Sequence, residues 1–211
     1  MRGKFITVEG TDGSGKSTQI DMLMSYLNEK NADVIFTREP GGTDISEKIR
    51  EIILDINNRS MTGMTEALLY AAARSQHVQE KIIPDVNSGK IVICDRFIDS
   101  SIAYQGEARG LGIDNIMAIN NFALNGIMPD MTLFFDLPPE KGILRKKNER
   151  LLDRLEAEKI DFHKKVYEGY KKLCRKYPER IKVIDADDSM ENIHNKVVKA
   201  VDILLKGKYY V

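Results

Sequence analysis

The chain has 211 residues, with Lys+Arg and Asp+Glu balanced at 32 each and hydrophobic residues at 42%. That length suits one domain with a core of ordinary size, and the hydrophobic fraction excludes a largely disordered chain. The charge balance excludes a general nucleic-acid binder, which carries a basic excess, but leaves room for a local anion site.

The apolar run at the N-terminus, in MRGKFITVEG, stops too early for a signal peptide. No stretch approaches the ~20 apolar residues of a membrane-spanning helix. Cys94 and Cys174 lie far apart without metal spacing, and His77, His163 and His194 do not cluster. The expectation is a soluble, cytoplasmic protein with free thiols and no membrane or nucleic-acid partner.

Strand and helix patterns alternate along the chain. KFITVE (4–9) is a short β-branched run and reads as a buried strand. A glycine-rich loop follows. Ile20, Leu23, Met24 and Leu27 then recur at helical spacing. DVIFT (33–37) predicts a second strand and PGGT (40–43) a turn. Ile45, Ile49, Ile52, Ile53 and Ile56 predict one apolar face of a second helix, and 64–86 a third ending around Pro84. KIVICD (90–95), MTLFFD (131–136) and IKVID (181–185) predict three further strands. Helices are expected over 113–125, from Pro138-Pro139 onward, to about 176, and over 189–205. The charged segment 145–159 runs into the helix that ends near 176.

Strands separated by helices imply parallel crossovers and a sheet covered on both faces. Ligands of such sheets bind beyond the carboxyl ends of the strands. The candidate chemical residues stand there. Gly10-Thr11-Asp12-Gly13-Ser14-Gly15-Lys16-Ser17-Thr18 follows the first strand, Arg38-Glu39 the second and Asp95-Arg96 the third.

Gly10…Gly15-Lys16-Ser17 fits the phosphate-loop pattern G-x-x-x-x-G-K-[ST]. The glycines let backbone N–H groups curl around phosphate oxygens, and the following helix presents its positive end to the anion. Lys16 is placed to reach the β- and γ-phosphates, and Ser17 to ligate Mg²⁺. Asp95 at a strand end can hold Mg²⁺ through water, and Arg96 beside it can grip a phosphate bidentately, or the two form a plain strand-end ion pair. Arg50 is either a solvated helix charge or a ligand group. Arg74 lies on an alanine-rich helix stretch where a charge needs a partner: a structural ion pair, or the polar edge of a ligand. Tyr70, one turn earlier, is either core or one side of a ring sandwich with it. RKKNERLLDR (145–154), with five basic residues in ten, is either a solvated helix face or a lid closing cations over a triphosphate.

Together these residues resemble the thymidylate kinase family, and the resemblance spans essentially the whole chain. It rests on EGTDGSGKST (9–18), TREPGGT (37–43), AAARSQ (71–76), DRFIDSSIAYQG (95–106), PDMTLFFDLPPE (129–140) and the RLE segment at 154–156. REPGGT combined with DR…S..AYQG is the specific part; any single motif would identify only a phosphate-loop kinase.

The resemblance implies a single domain over 1–211: a three-layer phosphate-loop fold whose five-stranded parallel sheet is flanked by helices, with a short basic lid about 145–156. It implies ATP as donor, Mg²⁺ as cofactor, dTMP as acceptor and a homodimer. Asp12 is implied near the 3′-hydroxyl of dTMP. Arg96, Arg38 and Arg50 are implied to place or brace its phosphate, and Arg74 to donate to a thymine carbonyl. Ser101 and Gln105 match readers of the thymine edge, and Tyr104 a residue packing near the sugar. Glu39 and Asp95 match carboxylates around the metal and phosphates. Lys16, Arg96, Asp95 and Arg150 are the expected catalytic set, with Ser17 and Asp95 on the metal.

This chain departs from the family at two places. Tyr70 stands where Phe is common, and Gly13 stands where some members place an arginine. A second cation is therefore expected from the lid residues Arg145, Arg150 and Arg154, with Arg150 foremost; Lys146 and Lys147 are read as solvated charge. The nearest alternative is a related kinase acting on another nucleoside monophosphate or a deoxynucleoside. A nucleotide-dependent switch is the alternative from a different class. It would need an N-K-x-D guanine element, and Asn195-Lys196 continues as Val-Val.

Overall fold

The structure, a computed structural model, describes residues 2–146 and 153–206. Five parallel strands form one sheet in the order β2-β3-β1-β4-β5. They are β1 (Lys4–Gly10), β2 (Val34–Arg38), β3 (Ile91–Asp95), β4 (Met131–Asp136) and β5 (Ile181–Asp185). Helices α1 (Lys16–Glu29), α2 (Asp44–Leu54), α3 (Gly63–His77), α4 (Ile83–Asn87), α5 (Ile98–Ser101), α6 (Ile113–Leu124), α7 (Pro139–Lys146), α8 (Ile160–Lys176) and α9 (Met190–Leu205) cover it.

The period-two alternation of the strands sorts side chains into two cores. Ile6 and Val8 of β1, Ile91 and Ile93 of β3, and Leu133 and Phe135 of β4 face α1 and α9. Phe5, Val92, Cys94 and Phe134 face the opposite way, against helices that include α6 and α8. Thr7 and Glu9 share that second face of β1 and are fully buried, so a polar seam runs up through the core toward the strand ends. Thr7 Oγ1 meets Thr132 Oγ1 at 2.7 Å, Thr132 donates to Asp99 at 3.1 Å, and Arg180 pairs with Asp99 at 2.6 Å.

One helical expectation changes, one gains a π-helical interior, and one helical segment is added. Of the five isoleucines expected on one face of α2, only Ile53 is buried, whereas Ile45, Ile52 and Ile56 are exposed. The inner face of α2 is made by Ser46 and Ile53. The helix expected over 64–86 runs over Gly63–Asn87 and carries a π-helical stretch, Val78–Ile82, in its interior. The Ile83 N–H bonds the Val78 carbonyl five residues back, and Pro84 opens α4, where its missing N–H costs nothing. Finally, 98–108 is helical, with α5 running into a π-helix over Ile102–Ala108. Its residues from Phe97 to Gly106 are all buried, so the segment has no polar stripe to betray its period.

Candidate active site

The carboxyl ends of β1, β2 and β3 open into a cleft of about 410 Å³, a size that suits a small-molecule ligand. The glycine loop forms one wall. Gly10, Gly13 and Gly15 have φ of 147°, 77° and 86°, conformations that side-chain-bearing residues rarely adopt. Gly13 is also packed back to back with Gly142 of α7, where a Cβ would collide with the Gly142 carbonyl. A side chain at this position would therefore have to displace α7. Thr11 Oγ1 ties the loop to the Leu137 carbonyl at 3.0 Å.

Lys16 is buried and donates to the Gly10 and Thr11 carbonyls at 3.1 and 3.0 Å, folding its ammonium back over the loop. Burial, with Arg96 adding, lowers its pKa to about 8. Ser17 and Thr18 line the cleft at the start of α1.

Arg96, just after β3, sits at φ 68°. A non-glycine residue in this region carries strain of roughly 1–3 kcal/mol that its surroundings must hold. They do so from three sides. Arg96 Nη2 meets Asp12 Oδ1 at 2.7 Å, and Nη1 reaches Ser100 Oγ and Tyr170 OH, each at 3.3 Å. The guanidinium lies 5.3 Å from the Tyr104 ring centre. Burial disfavours its charge, but Tyr104, Asp12, Tyr170 and Asp95 hold it well above the ordinary arginine pKa.

Glu9 anchors this arrangement from below. Its carboxylate accepts from Phe97 N at 2.7 Å, Ser100 Oγ at 2.6 Å and Tyr170 OH at 2.7 Å. Burial, and then Asp99, push its pKa up to about 7.

A second buried cluster borders the cleft. Arg74 donates to Glu39 Oε2 at 2.8 Å, to Ser101 Oγ at 3.1 Å and to Asn120 Oδ1. Its guanidinium lies 5.2 Å from the Phe97 ring centre. Glu39 also meets His77 Nδ1 at 3.1 Å. Arg74 is thus both ion-paired and at the cleft wall. Tyr70, Tyr104 and Gln105 line the same wall, and burial raises the pKa of both tyrosines. Arg50 borders the cleft with Nη1 on the Pro40 carbonyl at 2.7 Å.

Not every expected residue reaches the cleft. Arg38 turns outward onto Glu47 at 3.0 Å, and Glu47 in turn accepts from Gly42 N at 2.8 Å. Ser101 is buried behind Arg74. Arg154 is buried away from the loop, donating to the Ile53 carbonyl and to Glu66, each at 2.7 Å. Arg145 does line the cleft, with Nη1 on the Ala186 carbonyl at 3.2 Å. Arg150 and Lys147 lie outside the described residues.

Sequence reasoning missed Glu9, Ser100 and Tyr170, which hold Arg96 in place, and Asp153, which lines the cleft. Glu9 and Ser100 lie inside quoted motifs, but only their contacts with Phe97, Arg96 and Tyr170 reveal their part.

The metal expectation meets a fitting donor set. Asp95 Oδ1 is buried and unpartnered, and Asp95 lines the cleft together with Ser17. Among the described residues no cluster of three or more His, Cys, Asp or Glu could hold a metal by itself. Two protein oxygens completed by phosphates and water are what Mg²⁺ in a phosphoryl-transfer site uses.

A family model described as thymidylate kinase matches residues 8–197. The thymidylate kinase of Clostridium novyi is 56% identical over 198 residues, 93% of this chain and 97% of that protein. That of Geobacillus sp. strain WCH70 is 50% identical over 210 residues, covering 99% and 100% of the two chains. The crystal structure of thymidylate kinase from Ehrlichia chaffeensis superposes with a TM-score of 0.76 at 33% identity, over 95% of this chain and 99% of that one. With matches of this length and identity laid over a phosphate loop, a held arginine and a cleft of small-molecule size, the chain belongs to the thymidylate kinase family.

Proposed function

We infer that this chain, as one phosphate-loop kinase domain, transfers the γ-phosphoryl group of ATP to dTMP, giving ADP and dTDP. The observation that carries the reading is that phosphate loop and pocket wall meet in one cleft, joined by the Asp12–Arg96 pair at 2.7 Å. Phosphoryl transfer demands in-line placement and neutralisation of charge more than proton chemistry. The acceptor phosphate is already anionic, so no strong general base is needed.

In this reading the loop amides and Lys16 bind the donor phosphates. Arg96 faces the phosphate of dTMP from a position fixed by Asp12, Ser100 and Tyr170, with Arg50 beside it. Arg74, held rigidly by Glu39, is a fixed donor toward a pyrimidine carbonyl, and Tyr70 and Tyr104 flank base and sugar. Arg38 and Ser101 act at one remove: Arg38 braces Glu47 under the turn at Gly42, and Ser101 holds Arg74. Ser17 and Asp95 would hold Mg²⁺, which when bound neutralises the charge of the donor phosphates. Arg145, and Arg150 in the neighbouring segment, are the candidates for the second cation, since Gly13 supplies none and Arg154 is committed to Glu66.

The partner is read as a second copy of this chain. Ile45 and Ile52 on α2, Ile56 just beyond it, Met64 and Leu68 on α3, and Phe122 on α6 are exposed, and α3 packs between α2 and α6. Exposed apolar residues on three helices packed in this way are what an isologous dimer covers. Among the described residues no helix is long and apolar enough to cross a membrane. Cys94 and Cys174 are free, which supports a reducing, cytoplasmic setting.

A coupled assay of ADP release with dTMP, dUMP, dCMP, dGMP and thymidine tests the reading. The expected result is highest kcat/KM for dTMP. Activity confined to thymidine or to a purine nucleotide would overturn it.

A further inference from the structure

Gln105 is buried and lines the cleft, and its two amide ends are treated unequally. Nε2 donates to Glu66 Oε1 at 2.9 Å, whereas Oε1 is buried without a partner. A buried amide oxygen left unpaired costs about 1–3 kcal/mol, so an orphan on a residue that lines a ligand cleft points to a ligand that completes it.

The amide cannot relieve this by turning over. Glu66 is 0% exposed and is gripped by two arginines: Arg109 Nη2 at 3.1 Å and Arg154 Nη2 at 2.7 Å. Burial alone would raise its pKa, but the bonds from Arg109, Gln105 and Arg154 outweigh burial and hold it below the ordinary carboxylate value. An ionised carboxylate only accepts hydrogen bonds. Flipping Gln105 would set its carbonyl oxygen against a carboxylate oxygen.

We propose that Glu66 is a specificity-determining positioning residue: it fixes the amide polarity of Gln105 so that an acceptor, not a donor, is presented to the base. The consequence is chemical selection at one ring position. Thymine carries N3–H, a donor that satisfies Gln105 Oε1. Cytosine carries a bare N3, an acceptor that would leave two acceptors opposed. The inference rests on reading the cleft as the dTMP site. It adds a second discriminator to Arg74, whose own donors oppose the cytosine amino group.

Four proteins test it: the native chain, Glu66→Gln, Gln105→Leu and the double variant, each assayed for kcat/KM with dTMP and with dCMP. A glutamine at 66 can donate or accept, so the amide of Gln105 is freed. The dTMP-to-dCMP ratio should fall about tenfold or more in Glu66→Gln, as expected for one lost polar discrimination. Adding Glu66→Gln to Gln105→Leu should change that ratio less than about twofold. An equal fall of the ratio in both backgrounds would make Glu66 merely structural and overturn the proposal. So would an unchanged ratio in Glu66→Gln. Should Glu66→Gln fail to fold, Glu66→Gln/Arg154→Met removes one charge of each sign and is read by the same ratio, alone and with Gln105→Leu. A native chain that does not turn over dTMP would instead fail the functional reading, and this proposal with it. A native preference for dTMP that Glu66→Gln leaves intact fails the proposal alone.

Discussion

Arg96 Nη2 lies 2.7 Å from Asp12 Oδ1, so the residue that follows β3 is pinned to the loop that follows β1. The pair sits where strand order places the two loops side by side, because β1 and β3 are hydrogen-bonded neighbours with Val8 opposite Asp95. It fixes a strained arginine where the proposed donor and acceptor sites meet. Arg96→Ala should lower kcat on the order of 10²–10³-fold, the scale of losing one preorganised charge at a transition state. Near-native kcat under saturating substrates would remove Arg96 from that role.

Lys16 makes a pH-dependent prediction. Its pKa is lowered to about 8 in the ligand-free protein, first by burial. In the unfolded chain a lysine titrates near pH 10.4. Between those values the unfolded state binds more protons, so this group's destabilising contribution is full below about pH 8 and is relieved as pH rises through the window. Triphosphate binding favours the charged form. Calorimetry of ATP binding in buffers of different ionisation enthalpy should show little proton uptake near pH 6.5 and clear uptake near pH 8.5, absent in Lys16→Met. Equal uptake by native and variant proteins would assign it elsewhere.

Gly13 and Gly15 offer a matched comparison. Their φ values are similar, 77° and 86°, so alanine at either carries a left-handed backbone cost of roughly 1–2 kcal/mol. A Cβ at Gly15 meets nothing within 4 Å, whereas at Gly13 it strikes α7 at Gly142. Gly13→Ala should therefore destabilise by about 1–3 kcal/mol more than Gly15→Ala, the cost of overpacking. Denaturant unfolding measures both; equal values would show that α7 gives way freely.

The apolar face over α2, α3 and α6 predicts assembly. Leu68, 51% exposed, lies on α3 with the exposed isoleucines of α2 to one side. Leu68→Glu places a charge within the proposed contact. Sedimentation equilibrium should report a two-chain mass for the native protein and a one-chain mass for the variant. A native monomer would leave the face to another use.

Much of this was legible in the residues. The β-branched runs and the phosphate-loop spacing fix strands, crossovers and the end of the sheet that carries chemistry, because both signals are local. The helical stretch after Arg96 was not legible, since burial on every side erases periodicity. The isoleucines of α2 misled for the opposite reason: a regular apolar stripe does not say whether this chain's own core covers it. Arg154 read as a lid cation from the family resemblance and the missing cation at Gly13, yet Glu66, 88 residues away, claims it. Long-range ion pairs of this kind leave no mark on local sequence. Ser100 and Tyr170 around Arg96 became visible only when α8 was laid beside Glu9.

The most direct measurement is ³¹P NMR of the products formed from ATP, dTMP and Mg²⁺ by the native protein. The account predicts ADP and dTDP accumulating in equal amounts, with no inorganic phosphate while dTMP remains. Inorganic phosphate released independently of dTMP, with no dTDP, would contradict it.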